Sequence, residues 1–268
     1  MFNRCNEQGV QCIVAIHVDG LLITSGSSLM IEDLAEGLTK RYGEITRKNG
    51  PIVNYLGMVF DLATPGKVKV SMMGFVDEML KEHGVTGKAR TPATEGLFDV
   101  RPDIESVTEQ QRVIFHRCVA KLLYLAKRAR PDCLTAVSFH ATRVNRCTTD
   151  DLVKLQRLMR YVNMTKERGI VFSPGETGIE VSVLIDAAYG VHPDGKSHTG
   201  SCVVIEDVGA VHCKSAKSST EAELVALSDS VNQALHIRNF VLAQGHSCGP
   251  VSIYQDNMYC MALIDRGR

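Results

Sequence analysis

The chain has 268 residues, of which 44% are apolar, and it carries 30 acidic and 30 basic side chains. That length is enough to bury the core of one large domain or two modest ones. No apolar run approaches the roughly 20 residues of a membrane span, and the N-terminus lacks the apolar core of a signal peptide. We therefore expect no membrane partner and a cytoplasmic or nuclear location rather than secretion.

The nine cysteines are odd in number and scattered, and no two of them form a Cys-x-x-Cys pair. This pattern argues against a structural zinc site and against a disulfide framework, so reduced thiols are expected. The charge is distributed unevenly. Residues 117–168 contain 12 Lys/Arg and four Asp/Glu, a net charge of +8, which predicts a basic surface on the middle of the chain.

The first 83 residues read as a small mixture of strands and helices. Residues 11–23 are apolar around one polar pair, Asp19-Gly20, which is a strong hairpin signal. An amphipathic helix is predicted for residues 29–42 and a further helix for residues 72–83. Between them, residues 53–60 and 67–71 are predicted to form a strand pair joined by a Thr-Pro-Gly turn.

The middle of the chain is predicted to be helical. Residues 84–111 have little periodicity and read as a linker or a surface-hugging loop. A helix follows at residues 115–127. Arg130-Pro131-Asp132 then stops one helix and starts the next, and a further helix is predicted at residues 150–164. The last helix places three basic residues opposite its apolar stripe: Lys154, Arg157 and Arg160. Two interpretations stay open, a solvated helix face or a row of contacts to nucleic-acid phosphates.

A turn-rich boundary at residues 173–178 precedes the last part of the chain. The pattern there predicts strands at residues 179–185, 200–205 and 210–214, a long helix at 217–244, a strand ending at Asp256 and a short final helix. The order is three strands, a helix and a further strand.

The start of the long helix offers more than one capping arrangement. Ser218, Ser219 and Thr220 are all good N-cap residues. Glu221 follows Ser218 by three residues, and Glu223 follows Thr220 by three, so either acid fits a capping box, although only one register can hold. If Ser218 is the cap, Glu221 is the acid of the capping box and Glu223 is available for another role. Alternatively, both acids simply favour the helix N-terminus.

Two strand-like segments each end in an aspartate, Asp186 and Asp256. Because ligand sites lie beyond the carboxyl ends of parallel strands, these residues and Glu223 are expected to converge. Three carboxylates at one point repel each other unless a cation compensates their charge. Oxygen ligands of this kind suit Mg²⁺ or Mn²⁺.

The segment from Asp186 to Asp256 resembles the ribonuclease H domain of copia-type retrotransposon polyproteins. The matching motifs are Ile-Asp-Ala-Ala-Tyr-Gly at 185–190, Lys-Ser-His-Thr-Gly at 196–200, Ser-Thr-Glu-Ala-Glu-Leu at 219–224 and Tyr-Gln-Asp-Asn at 254–257. The resemblance implies that Asp186, Glu223 and Asp256 are catalytic metal ligands. It also implies that the chain stops before a further strand and a helix with a fourth carboxylate, a role that Asp265 does not take.

Residues 12–23 resemble the reverse transcriptase motif Tyr-x-Asp-Asp-Leu-Leu, with His17 in place of the tyrosine and Gly20 in place of the second aspartate. Asp19 is the one metal-binding aspartate of that motif that remains, and the family's upstream palm strand has no counterpart. Residues 55–57, 115–132 and 155–161 are also copia-like. From the residues alone, a plain hairpin tip is the better interpretation of Asp19-Gly20.

The patterns predict an α/β (α+β) chain, and the resemblance implies three parts: a palm and thumb remnant of a reverse transcriptase (1–86), a linker and helical connection (87–178), and a truncated ribonuclease H-like mixed sheet with flanking helices (179–268). The resemblance implies metal-dependent hydrolysis of the RNA strand of an RNA–DNA hybrid, without polymerase activity. The alternative is a degenerate, non-catalytic remnant that binds hybrid or duplex nucleic acid through its basic middle segment. The oligomeric state stays open.

Overall fold

The computed structural model describes residues 1–101, 105–173, 175, 178–205, 208–218 and 222–266. The chain divides into two compact units, Met1–Leu56 and Gly57–Arg268. Helices and several sheets alternate, in agreement with the predicted mixed α/β class. Within the described residues, no helix is both long enough and apolar enough to cross a bilayer. The three-part division at residues 86 and 178 stays a prediction.

The first unit is built on a three-stranded antiparallel sheet with a helix after it. In chain order its elements are β1 (Phe2–Cys5), β2 (Gln11–His17), β3 (Gly20–Ser25), α1 (Ser28–Tyr42) and β4 (Ile52–Tyr55). Helix α1 contacts β3, and its bounds confirm the predicted amphipathic helix.

The predicted hairpin in the first unit is confirmed, but its turn lies one residue earlier than expected. His17 pairs with Gly20, so Val18 and Asp19 are the two turn residues. Val18 has a φ of 54°, which is uncommon for a β-branched side chain, and it is almost fully exposed. A two-residue turn needs positive φ at its first position to match the strand twist.

The second unit contains a helical bundle whose buried side chains form one continuous core. Its helices are α2 (Met73–Glu82), α3 (Glu109–Arg128), α4 (Leu134–Arg143) and α5 (Thr149–Met164). Helices α3 and α5 both begin at capping boxes, Thr108 with Gln111 and Thr148 with Asp151. The first of these boxes starts α3 six residues before the predicted helix, inside the stretch predicted as linker.

A small antiparallel sheet in the second unit places β6 (Val68–Ser71) between β5 (Met58–Asp61) and β7 (Ile170–Phe172). The stretch predicted as one strand at 53–60 is interrupted at Leu56-Gly57, where φ is 51° and 73°. The predicted turn at residues 64–66 is present, since the Lys67 amide donates to the Thr64 carbonyl over 3.0 Å.

Gly169, directly before β7, approaches β6 so closely that a Cβ atom there would overlap the Val70 carbonyl oxygen. The overlapped Val70 carbonyl belongs to the backbone and cannot rotate away as a side chain can. We therefore expect Gly169→Ala to lower the free energy of unfolding by about 1–3 kcal/mol. Gly74→Ala in helix α2 is the matched control, since nothing lies within 4 Å of its Cβ position, and alanine favours a helix over glycine. Urea titrations followed by circular dichroism measure both. Equal stability of the two variants would contradict the close approach.

The other sheet of the second unit has the strand order β10 (Gly209–Ser218), β9 (Ser197–Ile205), β8 (Val181–Ala188), β11 (Ser252–Tyr254). Strand β11 is parallel to β8, and the other neighbours are antiparallel. Helix α6 (Ala222–Ala243) packs on β8 and β9, and α7 (Met258–Arg266) ends the described chain. Val183 and Ile185 face α6, so alternation along β8 turns Leu184 and Asp186 to the opposite face.

The segment predicted as a surface-hugging loop lies along helix α5. The Ala89 amide donates to the Arg160 carbonyl over 3.3 Å, and the Asn163 side chain donates to the Gly87 carbonyl over 3.0 Å. The loop is therefore attached to the helix through its own backbone groups, which bond to a backbone carbonyl and to a side-chain amide of α5. This outcome confirms the surface-hugging alternative for residues 84–101.

The segment Arg130-Pro131-Asp132 has a structural role. Arg130 is buried and forms two hydrogen bonds to the Asp132 carboxylate, at 2.9 and 2.8 Å, and two to Thr165. The Tyr161 hydroxyl donates to the same carboxylate over 2.7 Å. Burial acts to raise the pKa of Asp132, but these hydrogen bonds outweigh it and the pKa is lowered. The motif thus ties the start of α4 to the end of α5.

Candidate functional site

Asp186 lies on β8, on the sheet face opposite α6. Its partner on β9 is Gly200, whose own partner on β10 is Ser215. The space beside Asp186 is open at Gly200. A Cβ atom built there would have one neighbour within 4 Å, the Asp186 carbonyl oxygen at 3.9 Å. The Asp186 carboxylate is exposed at this position and is free to meet a ligand from solvent.

Asp256 follows β11, which ends two residues earlier than predicted, at Tyr254. Tyr254 pairs with Leu184 in the parallel ladder. Asp256 lies two residues beyond the last pair of this ladder. Both aspartates line one open cavity of about 780 Å³, which Gly200 and Ser215 also border. The structure therefore brings these two predicted site residues together.

Glu223 is the second residue of helix α6 and is half-buried. Its Oε2 accepts a hydrogen bond from Gln255 Nε2 over 2.9 Å, and Gln255 directly precedes Asp256. Burial and then the negative charge of Glu223 raise the pKa of Cys260. Glu223 is thus linked to the Asp256 segment through an amide, and it is not among the residues that border the cavity of the two aspartates.

The donor chemistry of the three carboxylates fits a hard divalent cation. However, the three side chains do not form a closed cluster. Within the part of the chain that the structure describes, no group of three or more His, Cys, Asp or Glu side chains is placed to hold a metal ion. The assignment of a metal to Asp186, Glu223 and Asp256 therefore stays a prediction.

The capping alternatives for helix α6 fall mostly outside the described residues, which exclude Ser219, Thr220 and Glu221. Ser218 ends strand β10, where it pairs with Ser197, and α6 begins at Ala222. The choice between Glu221 and Glu223 as the capping acid stays open.

The hairpin that resembles a degraded polymerase motif lies in the first unit. Asp19 is an exposed turn residue, and Gly20 begins β3 opposite His17. A Cβ at Gly20 would lie 3.5 Å from the His17 carbonyl oxygen and 3.6 Å from the Tyr55 ring. These surroundings are those of a hairpin tip, in line with the interpretation from the residues alone.

Lys154, Arg157 and Arg160 contact the loop that crosses α5 rather than solvent alone. Arg160 Nε donates to the Thr86 carbonyl over 3.1 Å, and Arg157 donates to Thr91 Oγ1 over 2.9 Å. Lys154 donates to the Asp99 carbonyl of the loop and pairs with Asp150 on its own helix over 3.0 Å. The three side chains are only half-exposed, so their charges are partly used within the chain.

The same loop adds basic residues that the sequence pattern did not single out. A cavity of about 620 Å³ between the loop and α5 is lined by six basic and two acidic side chains: Lys88, Arg90, Arg101, Lys154, Arg157 and Arg160 with Asp99 and Asp150. The first three are exposed. Lys88, Arg90 and Arg101 belong to the segment that the sequence predicted as a linker or loop. They lie beside the basic residues of α5 only because this segment packs on that helix.

No protein-family model matches the chain. Over 251 residues, or 91% of its length, the chain is 24% identical to the "Retrovirus-related Pol polyprotein from transposon RE2" of Arabidopsis thaliana. It spans 17% of the length of that relative. This weak similarity supports an origin of the chain in a retrotransposon Pol polyprotein.

Proposed function

We propose that the chain is a fragment of a copia-type reverse transcriptase/ribonuclease H and that residues 179–268 are its ribonuclease H-like part. The observation that carries the proposal is the parallel pairing of β11 with β8, which brings Asp186 and Asp256 to one cavity. The chain order of three strands, helix α6 and a further strand also agrees with the order in ribonuclease H domains that the resemblance implies.

In this proposal Asp186, Glu223 and Asp256 hold Mg²⁺ or Mn²⁺. When bound, such a cation supplies the hydroxide that attacks the phosphodiester and stabilises the leaving oxygen. Gln255 orients Glu223 by its hydrogen bond. Because the carboxylates form no closed group beforehand, we expect weak cation binding and slow hydrolysis. No polymerase activity is proposed, since the hairpin of the first unit offers Asp19 alone.

We expect slow, metal-dependent cleavage of the RNA strand of a labelled RNA–DNA hybrid. Asp186→Asn removes one negative ligand, and the loss of alignment should lower the cleavage rate by about 100-fold or more. Titration with Mn²⁺ followed by electron paramagnetic resonance should show weaker binding in the same variant. Asp265→Asn is the matched control, because Asp265 is exposed and has no assigned role.

Cleavage that survives Asp186→Asn would place the site elsewhere. The absence of any cleavage by the unmodified chain, with either metal, would instead favour the second candidate function. That candidate is a non-catalytic remnant that binds hybrid or duplex nucleic acid through the basic cavity beside α5. It rests on the six basic side chains that line this cavity.

Backbone binding of this kind should weaken as salt increases, because phosphate contacts release counterions. Replacing Lys88, Arg90 and Arg101 with glutamine should flatten the plot of log affinity against log salt by about 0.9 for each phosphate that is no longer neutralised. These residues are better targets than Lys154, Arg157 and Arg160, whose removal would also break side-chain contacts between the loop and α5. Fluorescence anisotropy with a duplex of random sequence provides the measurement.

A matched triple variant, Lys67→Gln with Lys81→Gln and Lys127→Gln, removes three exposed charges that do not line the cavity. Its salt dependence should stay close to that of the unmodified chain. If both triple variants change the slope equally, the binding is nonspecific attraction to surface charge and the cavity has no special part in it.

A further inference from the structure

Two cysteines lie side by side on neighbouring strands of the second sheet. Cys202 on β9 is the direct partner of Cys213 on β10 in the antiparallel ladder. Their sulfur atoms are 2.9 Å apart, and both are free thiols. Directly opposed residues in an antiparallel pair have their side chains on the same face of the sheet, so the two thiols face each other across the ladder.

The backbone spacing of such a pair suits a covalent bond. Directly opposed residues have Cα atoms about 4.5 or 5.5 Å apart, and disulfides bridge Cα separations of about 4.4–6.8 Å. The strands would therefore need little movement to accept a cross-link. Neither the sequence pattern nor the similarity to a Pol polyprotein assigns a role to these residues.

The pair is also accessible to small molecules. Both cysteines are partly exposed, and both border the cavity that Asp186 and Asp256 share. Cys213 also packs against the core of the helical bundle, so a small thiol reagent approaches the pair through this cavity.

The two sulfur atoms differ in acidity. The hydrogen bond from Cys213 outweighs burial and lowers the pKa of Cys202 to about 7, whereas the same hydrogen bond and burial raise the pKa of Cys213. Because the thiolate is the nucleophile in disulfide exchange, Cys202 is the sulfur that attacks first at neutral pH.

We propose that Cys202 and Cys213 form a dithiol modification site, which a small disulfide of the glutathione class converts into a cross-strand disulfide. The Cys202 thiolate attacks one sulfur of oxidised glutathione, whose S–S bond breaks and releases one glutathione thiolate. The Cys213 thiol then loses its proton to solvent, attacks the Cys202 sulfur of the mixed disulfide and releases the second glutathione. Two protein thiols are oxidised and one glutathione disulfide is reduced to two thiols.

The cross-link would join β9 and β10 at the edge of the cavity beside Asp186. The proposed disulfide does not rest on the proposed hydrolysis, because neither cysteine is one of the carboxylate ligands. Reduction by an excess of glutathione would reverse it.

The test is incubation of the full chain in buffers of oxidised and reduced glutathione, followed by alkylation and peptide mapping by mass spectrometry. We expect a peptide linked through Cys202 and Cys213, which disappears when the buffer is made reducing. Cys213→Ser should instead accumulate one glutathione on Cys202, since the resolving thiol is missing. Cys202→Ser should acquire neither the cross-link nor an adduct on Cys213. Alkylation of Cys202 in the unmodified chain should rise with pH around a midpoint near 7.

Cys5→Ser is the control, because Cys5 is exposed and lies outside this sheet, and it should leave the cross-link unchanged. Circular dichroism of each variant verifies that the fold is retained. The proposal is overturned if the unmodified chain forms no Cys202–Cys213 disulfide in oxidising buffer. It is also overturned if Cys213→Ser accumulates no adduct on Cys202, since the first step would then not occur there.

Discussion

Replacing Asp151 with alanine is expected to lower the free energy of unfolding of the second unit by about 3–5 kcal/mol. The Asp151 carboxylate is buried and accepts from Arg143 Nε over 3.1 Å. Arg143 is itself 5% exposed, so the substitution leaves a buried guanidinium without its counter-charge. It also removes the acid of the capping box that starts α5, where Asp151 accepts from the Thr148 amide over 2.9 Å.

Denaturation in urea, followed by the helical signal in circular dichroism, measures this loss. Glu109→Ala is the matched control, because Glu109 pairs with Arg112 at a surface where its side chain is 70% exposed. Exposed pairs of this kind contribute about 0–1 kcal/mol. Similar losses in the two variants would show that the buried pair adds nothing beyond a surface contact.

A double variant separates the buried charge from the missing cap. Arg143→Met in the Asp151→Ala background removes the unpaired guanidinium and keeps apolar volume in its place. We expect this second change to recover part of the lost stability, since apolar replacements of a buried ion pair are often neutral or stabilising. The part that is not recovered then reports the cap, which is worth about 1 kcal/mol. If the double variant is less stable than Asp151→Ala alone, the buried charge is not the cause of the loss.

The second large effect is a loss of stability in mild acid that depends on His140. This residue is 1% exposed and lies between the rings of Phe115 and Phe139. Neither of its ring nitrogens has a hydrogen-bond partner among the described residues. Burial lowers the pKa of His140 to about 4, while the charge of Asp151 raises it and that of Lys154 lowers it.

The sign of the pH dependence follows from that pKa. Between pH 6.5 and 4 the unfolded chain binds a proton at His140 that the folded chain does not, so stability falls as the pH falls. The contribution is fully present above the ordinary pKa of 6.5 and is lost toward pH 4. It amounts to roughly 3 kcal/mol for this residue. Burial and then the charge of His192 lower the pKa of His198 to about 4 as well, which adds to the trend.

Unfolding in urea at a series of pH values between about 7.5 and 4.5 tests this expectation. His140→Leu keeps a similar volume without a titratable group, so its stability should vary less with pH than that of the unmodified chain. His116→Gln is the control, because His116 is exposed on α3 and should leave the pH dependence as it is. An unchanged slope in His140→Leu would assign the acid sensitivity to other residues.

Local patterns in the sequence determined most of the secondary structure. The apolar stripe of residues 150–164 reappears as the buried side of α5, and the hairpin at residues 11–23 is present. The predicted element boundaries agree less well with the structure, because caps and turns depend on single residues. Thr108 and Gln111 start α3 inside the predicted linker, and Leu56-Gly57 interrupts the predicted strand at 53–60.

The sequence by itself also located the carboxylates near the ends of two strands and at the start of the long helix, because alternation and capping signals are local properties. The exact strand ends differ from the prediction, since β8 continues to Ala188, two residues beyond Asp186, and β11 ends at Tyr254, two residues before Asp256. Only the tertiary structure decided which side chains meet. The parallel pairing of β11 with β8 brings Asp256 and Asp186 to one cavity, and the docking of residues 84–101 on α5 places the basic side chains of the two segments around a second cavity. The ladder of β9 and β10 brings Cys202 to Cys213. Each of these contacts joins residues far apart in the chain or fixes a register to one residue, and no local pattern specifies either.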